Sequence, residues 1–306
     1  MEFFKINTKI NFLAQRKKAA ILSTVFFALS CLSITINGLN KGLDFTGGTE
    51  VQLHFADSAN LNQIRDSLTS AGFRDATVIS FGNSQDVLVT VAPKKDVTVE
   101  SINKEELTRL FPTATLQQMD YIGPQVGQEL ATRGTLAVVI ALLGTMLYIA
   151  LRFEWRFGVG STVALIHDPV IILGIFSFFH LEFNLVSLAA ILTVIGYSLN
   201  DTIVIFDRVR ENFRKQRKAT PIEVVNQSIN QTLSRTIMTS MLTLMVVFCL
   251  FLLGGSLLHG FALAMMIGIV VGTYSSIYVA GSLALALGLT RQHLLPVSRE
   301  VLDERP

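Results

Sequence analysis

Long apolar runs dominate this chain, and short alternating stretches are confined to one part of it. Crossing a bilayer as a helix takes about 20 mostly apolar residues. Six stretches qualify: roughly residues 19–37, 134–151, 159–179, 185–206, 236–253 and 261–287. Arg16, Lys17 and Lys18 precede the first, as they would a cleaved export signal. Its apolar run is too long for that and no small-residue cleavage site follows, so it reads as a retained anchor.

Between the first and second spans the period shortens. VQLHF (51–55) alternates as a half-buried strand, and LNQIRDSLTSAG (61–72) puts Leu61, Ile64, Leu68 and Ala71 on one helical face, with Gly72 as its stop. ATVIS (76–80) and VLVTV (87–91) flank the turn-forming GNSQD; SINKEELTRL (101–110) then reads as a helix and ATLQQMDYI (114–122) as a last strand. The order βαββαβ predicts a two-layer α+β unit of the ferredoxin-like type. The fold class is therefore an α-helical polytopic membrane protein with six spans and one α+β domain between the first two. His54 lies in a strand of that domain with no nucleophile or metal-ligand pattern beside it, so it reads as an ordinary strand residue and the domain as a binding or mechanical module.

Charge orients the spans. Five Lys/Arg precede the first, two lie between spans two and three, seven between Arg208 and Arg235, and three follow the last, while 180–184 and 254–260 carry none. The positive-inside tendency places both termini in the cytoplasm. The expected division is a cytoplasmic amino terminus (1–18), span one (19–37), an exported domain (38–133), a five-helix membrane domain (134–288) and a cytoplasmic tail (289–306). Within the membrane domain, TPIEVVNQSINQTLSR (220–235) has Thr220, Pro221 and Glu223 in a capping-box pattern and apolar residues at helical spacing. It predicts a short amphipathic connector lying at the interface.

Composition agrees with a bilayer solute: half the 306 residues are hydrophobic and 16% are charged. Cys31 and Cys249 sit inside apolar runs and read as packing residues, without a disulfide or metal role. GLDFTGGTEV (42–51) contributes Gly42, Asp44, Gly47 and Gly48 to a tight turn or close backbone approach. It lacks the Gly-Lys-Ser/Thr ending that holds nucleotide phosphates, which speaks against ATP hydrolysis, and no enzyme, cofactor or nucleic-acid signature stands elsewhere.

Candidate chemistry is left to the ionisable residues at membrane depth, each costing ~2.5–3.5 kcal/mol on insertion scales. Asp207, Arg208, Arg210 and Glu211 lie past the end of span four, where water and i,i+3 or i,i+4 pairing account for them. Asp201, behind Asn200, lies deeper and is too short to reach water as Lys or Arg can. It must be neutral, paired, or in a hydrated crevice. A carboxylate alternating between burial and a nearby cation can load and release a proton, and Arg235 at the start of span five is the candidate cation; a static buried ion pair is the alternative. Asp168 and His167 precede Pro169, and the triplet reads equally as a relay or a bend. Asn200, beside Asp201, joins the candidate relay, and so, more weakly, does Thr239 from a hydroxyl series with Thr236, Ser240 and Thr243 that could equally serve helix packing. In span six, small residues recur every fourth position from Gly260 through Ala264, Gly268, Gly272 and Ser276 to Gly288, permitting close approach to different neighbours as the row drifts around the helix.

GLDFTGGT, YSLNDTIVIFDRVREN, SRTIMTS and VGTYSSIYVAG together resemble the SecD/SecF family of bacterial protein-export membrane proteins, relatives of the RND transporters. The resemblance spans essentially the whole chain. It implies an inner-membrane accessory subunit, not an enzyme, that works with SecD and the SecYEG channel, with YajC as a further associate, on unfolded preproteins. It also implies that proton movement, tied to Asp201 and Arg235, drives the work. A half-size efflux transporter and a non-transporting scaffold are the competing classes; one small exported domain argues against the first, and a dispensable Asp201 would mark the second.

Overall fold

The computed structural model describes residues 8–73, 76–81, 83–91 and 104–294. The ends of the chain, residues 1–7 of the expected amino terminus and 295–306 of the expected tail, lie outside the described residues, as does the start of the predicted 101–110 helix. Among the described residues six helices are long and apolar enough to cross a membrane. They are α1 (Arg16–Asn37), α5 (Pro124–Arg152), α6 (Trp155–Phe178), α7 (Leu185–Lys215), α8 (Pro221–Leu253), and α9 (Gly255–Ser275), which continues through a π turn (Ser276–Ala280) into α10 (Gly281–Ala286).

Between α1 and α5 the chain forms β1 (Asn40–Lys41), a helical turn α2 (Leu43–Thr46), then β2 (Gly48–Phe55), α3 (Leu61–Ser70), β3 (Thr77–Phe81), β4 (Asn83–Val91), α4 (Lys104–Leu110) and β5 (Ala114–Ile122). The four strands from β2 onward are antiparallel in the order β3-β4-β2-β5. That is the split arrangement expected of βαββαβ. Alternation on β2 buries Val51 and Leu53, which pack with Ile64 and Leu68 of α3 and Leu107 of α4. Asn60 caps α3 by accepting from the amides of Asn62 and Gln63, and Gly72, at φ 95°, leaves it. The predicted GNSQD turn is shorter than its composition suggests, because Asn83 to Asp86 already belong to β4.

Helix limits depart from the apolar runs in a consistent direction. The helix of span two begins at Pro124, with proline in its first turn, and carries Gln125, Gln128, Glu129 and Arg133 before the apolar stretch. The larger difference concerns 220–235, which is not a separate interfacial connector: it is the first half of α8, continuous with span five. Its capping box forms as expected, Thr220 Oγ1 accepting from the Glu223 amide and Glu223 Oε2 from the Thr220 amide. The apolar face is turned inward, however. Val224, Val225, Ile229 and Leu233 are buried with Val209 and Phe213 of α7, while Asn212 Nδ2 donates to Ser228 Oγ and Gln231 Oε1, both at 2.8 Å. The amino-terminal segment also straps this half of α8, the Asn230 side chain bonding both the amide and the carbonyl of Ile10. A partner helix, not a membrane surface, satisfies the amphipathic pattern, because α7 itself runs on to Lys215.

The membrane core divides into two apolar clusters. One holds Phe157, Ile205, Phe206, Val209, Val225, Ile229 and Ala280; the other, nearer the sheet domain, holds Ile172, Phe176, Ala190, Val194, Ala264 and Ile269. Between the clusters lie buried polar residues, Ser198, Asp201 and Thr202 on α7, Thr236 and Ser240 on α8, and Ser275 and Ser276 at the end of α9, with His167 and Asp168 of α6 facing them.

Candidate functional site in the polar layer

Asp168 is the centre of that layer. Ser198 Oγ of α7 and Ser275 Oγ of α9 both donate to its Oδ2, at 2.5 and 2.8 Å, and its Oδ1 lies 2.9 Å from His167 Nδ1. The other ring nitrogen, Nε2, lies 2.6 Å from the hydroxyl of Ser23 on α1, so the imidazole bridges α1 to the carboxylate. One carboxylate, 1% exposed, thereby ties four helices together. The α6 helix continues through Pro169 without interruption, so the triplet is neither a break nor a free end.

The last residue of α9 and the π turn that follows reach two helices at once. A single wide turn shifts the register of everything after it, and the consecutive Ser275 and Ser276 are both fully buried. Ser275 addresses Asp168, whereas Ser276 Oγ lies 2.9 Å from Thr202 Oγ1 and donates to the Ser198 carbonyl. Before the turn the small-residue row rides on α7: a Cβ on Gly260 would meet Ser187 Oγ at 2.6 Å, on Gly268 Val194 Cγ2 at 2.2 Å, and on Gly272 Ser198 Cβ at 3.0 Å. At the end of the turn the Ala280 carbonyl lies against Gly160 of α6 instead, where an added Cβ would meet it at 2.6 Å. The expected drift from neighbour to neighbour therefore comes mainly at the π turn.

Asp201 stands one turn along α7 from Ser198 and is 3% exposed. Its surroundings differ sharply from those of Asp168. Ser240 and Arg235 of α8 are its polar neighbours, and the Ser240 hydroxyl is engaged with Thr273 Oγ1 at 2.9 Å. Asp201 Oδ2 is buried without a hydrogen-bond partner, as is the neighbouring Thr236 Oγ1. Among the described residues no ion pair joins Asp201 to Arg235, which is exposed on the outer side of α8. An unmatched buried carboxylate oxygen costs free energy unless a proton, a donor or a cation reaches it. Of the two buried aspartates in the layer, Asp201 is thus the one with an unmatched oxygen.

Two other expected relay residues fall elsewhere. Asn200 is exposed, since one residue turns it about 100° around the helix from Asp201. Thr239 is exposed too, and its hydroxyl is satisfied within α8 by the carbonyls of Arg235 and Thr236 at 3.0 Å. Ser23, Ser198 and Ser275 were not singled out by sequence, because isolated serines are common helix-packing residues in membranes. Ser198, three residues before Asp201 on the same face, carried the one readable signal. The outer charges behave as ordinary surface groups: Asp207 pairs with Arg152 at 3.0 Å and Arg208 with Glu211. Among the described residues no group of three or more metal-ligating side chains comes together.

Gly42, Asp44, Gly47 and Gly48 sit where the sheet domain meets the bundle. Gly47 and Gly48 have φ of 68° and 130°, and a Cβ on Gly48 would meet the Val91 carbonyl oxygen at 2.3 Å. Nearby Glu50 faces Glu182, Asp120 and Asp44; burial first, then these like charges, push its carboxyl up to about 7.

Comparison with known proteins gives a consistent result. Residues 102–290 match the family described as protein export membrane protein SecD/SecF, C-terminal, and residues 32–59 match the SecD/SecF GG motif. The protein translocase subunit SecF of Vibrio alginolyticus is 46% identical over 313 residues, covering 100% of this chain and 99% of its own. That of Pseudomonas aeruginosa is 44% identical over 308 residues, covering 99% of each. Among solved structures, SecDF from Thermus thermophilus, described as a translocon-associated membrane protein, is 39% identical with a TM-score of 0.84 over 93% of this chain. SecDF in a super-membrane-facing form gives 38% and 0.70. The chain spans 39% of the length of each of those SecDF chains.

Proposed function

Because this chain belongs to the SecD/SecF protein-export family, we propose that it acts as the SecF subunit of the bacterial Sec machinery and uses proton movement at Asp201 to promote late steps of preprotein translocation. It is a multi-pass membrane protein that works beside SecD, a pairing supported by its similarity to part of the SecDF chains. SecYEG, YajC and the unfolded preprotein complete the proposed assembly. The charge distribution supports an inner-membrane orientation with both termini cytoplasmic and the sheet domain outside. No step of bond making or breaking is assigned to it; protons are its only coupling ligand in this reading.

One observation carries the proposal: Asp201 is buried in the middle of the bundle with Oδ2 unpartnered, between two apolar clusters that deny it water. One proton moving down 100 mV releases ~2.3 kcal/mol. That is enough to bias a domain movement and too little to unfold a stable substrate. In proteoliposomes containing the full complex, Asp201→Asn is expected to insert and to associate with SecD normally while losing gradient-dependent export at least tenfold. Export by this variant at the normal rate would falsify proton coupling at this residue and favour a scaffold.

A further inference from the structure

The segment 40–48 touches three parts of the molecule at once. Its start pairs with β6 (Glu182–Phe183) as a parallel two-stranded ribbon, Asn40 opposite Glu182 and Lys41 opposite Phe183. The Gly42 amide continues the ribbon to the Phe183 carbonyl at 2.9 Å. A Cβ on Gly42 would lie 3.1 Å from Asn184 Cβ and displace the Glu182 carboxylate, so the glycine keeps this approach to β6 and the start of α7 close. Asp44 Oδ2 then accepts from the Leu185 amide at 2.8 Å. Leu185 is the first residue of α7, and its N-cap, Asn184, takes the Ser187 amide. Asp44 therefore satisfies a second orphan donor of α7 from outside the helix and sets a negative charge at its positive end. Phe45 stacks on Phe183 with ring centroids 5.7 Å apart.

The other end of the segment is fixed to the sheet domain. Gly48 begins β2, an inner strand of the sheet. Gly47 lies against the first residue of α5, where an added Cβ would be 2.7 Å from Pro124 Cα. α7 itself is unbroken from Leu185 to Asp201, a rod of about 24 Å at 1.5 Å per residue. Axial movement at Asp201 must therefore be felt at Leu185, and Asp44 is the side chain that receives it.

We propose that Asp44 is the positioning residue of a mechanical joint that transmits movement of α7 to the sheet domain through the Asp44–Leu185 hydrogen bond and the β1–β6 ribbon. The inference rests on the proton-site reading of Asp201 for its driving force, and its own content is the path that force takes. Two variants break the bond from opposite sides. Asp44→Ala removes the acceptor; Leu185→Pro removes the donor at a first-turn position that helices tolerate, after an Asn184 already extended at φ −117°.

The experiment uses the full chain with its SecD partner in proteoliposomes. Spin labels are placed at Thr69 of the sheet domain and Thr193 of α7, both exposed, in a C31A/C249A background. Three readouts are taken: export of a preprotein, proton uptake, and the label distance with and without a gradient. Asp44→Ala and Leu185→Pro are each expected to reduce export at least fivefold and abolish the gradient-dependent distance change while proton uptake stays within twofold. The double variant should be no worse than either single, and Asp44→Asn, which keeps an acceptor oxygen, should recover most export. Normal export in either single variant, additive losses in the double, or loss of proton uptake in step with export would each overturn the joint. Asp201→Asn runs in parallel. If it keeps the gradient-dependent distance change while Asp44→Ala loses it, the proton site is wrong and the joint stands.

Discussion

Gly268→Ala adds one methyl group where α9 crosses α7. The new Cβ would lie 2.2 Å from Val194 Cγ2, 2.7 Å from Cγ1 and 3.0 Å from Cβ, more than an ångström short of van der Waals contact at the nearest atom. Val194 is fully buried and branched at Cβ, so rotating it only exchanges one clashing methyl for the other. The helices must part instead. Overpacking of a well-filled core costs about 1–3 kcal/mol, and the upper half of that range applies because the neighbour cannot yield. Val194→Ala deletes both clashing methyls, so the pair should couple: each single change destabilises, and the double variant recovers about 1–2 kcal/mol relative to the sum. Thermal unfolding of the four purified proteins in one detergent measures this cycle, and preprotein export measures its consequence, because Ser198 and Asp201 lie one and two turns along α7 from Val194. Additive losses would refute the claim that this contact sets the distance between the two helices.

Two further expectations concern other groups. Removing the acceptor at the hub by Asp168→Ala orphans Ser198, Ser275 and His167 together, a loss of about 3–5 kcal/mol for a broken buried network; unfolding within error of the parent would show that the four helices do not depend on it. Glu50, pushed up to about 7 from 4.5, holds its proton more tightly in the folded sheet domain than when unfolded. Its contribution is therefore complete below about pH 4.5 and is lost as pH rises through 7. Because the side chain is partly solvated, the change amounts to about 1 kcal/mol and not the full shift. Glu50→Gln should flatten the decline between pH 5 and 8 in denaturant unfolding, and an unaltered pH profile would remove Glu50 as its source.

The parts of this molecule that sequence reveals are those governed by local period and by solvent. Apolar length sets the spans, alternation sets the strands, and the order βαββαβ leaves few ways to arrange four antiparallel strands. Asp201 stands out for a related reason: in an apolar run a carboxylate has no local partner, so its isolation is visible before the fold is known. Asp168 is as deeply buried but ambiguous in sequence, because what distinguishes it is three partners converging from α7, from α9 and from its own neighbour His167, which in turn meets Ser23 of α1. The same limit explains the misplaced connector. An amphipathic helix after a loop satisfies its pattern equally well on a membrane surface or on another helix, and only the extension of α7 to Lys215, with Val209 and Phe213 inward, decides it. The π turn is the subtlest case. Small residues every four positions describe a stripe on a regular helix, but Ser275, outside that row, faces Asp168 while Ser276, within it, faces Thr202. Adjacent residues of a helix point about 100° apart, which suffices to set one serine on α6 and the next on α7; the widened turn that begins at Ser276 then decides which side of the chain beyond it meets α6.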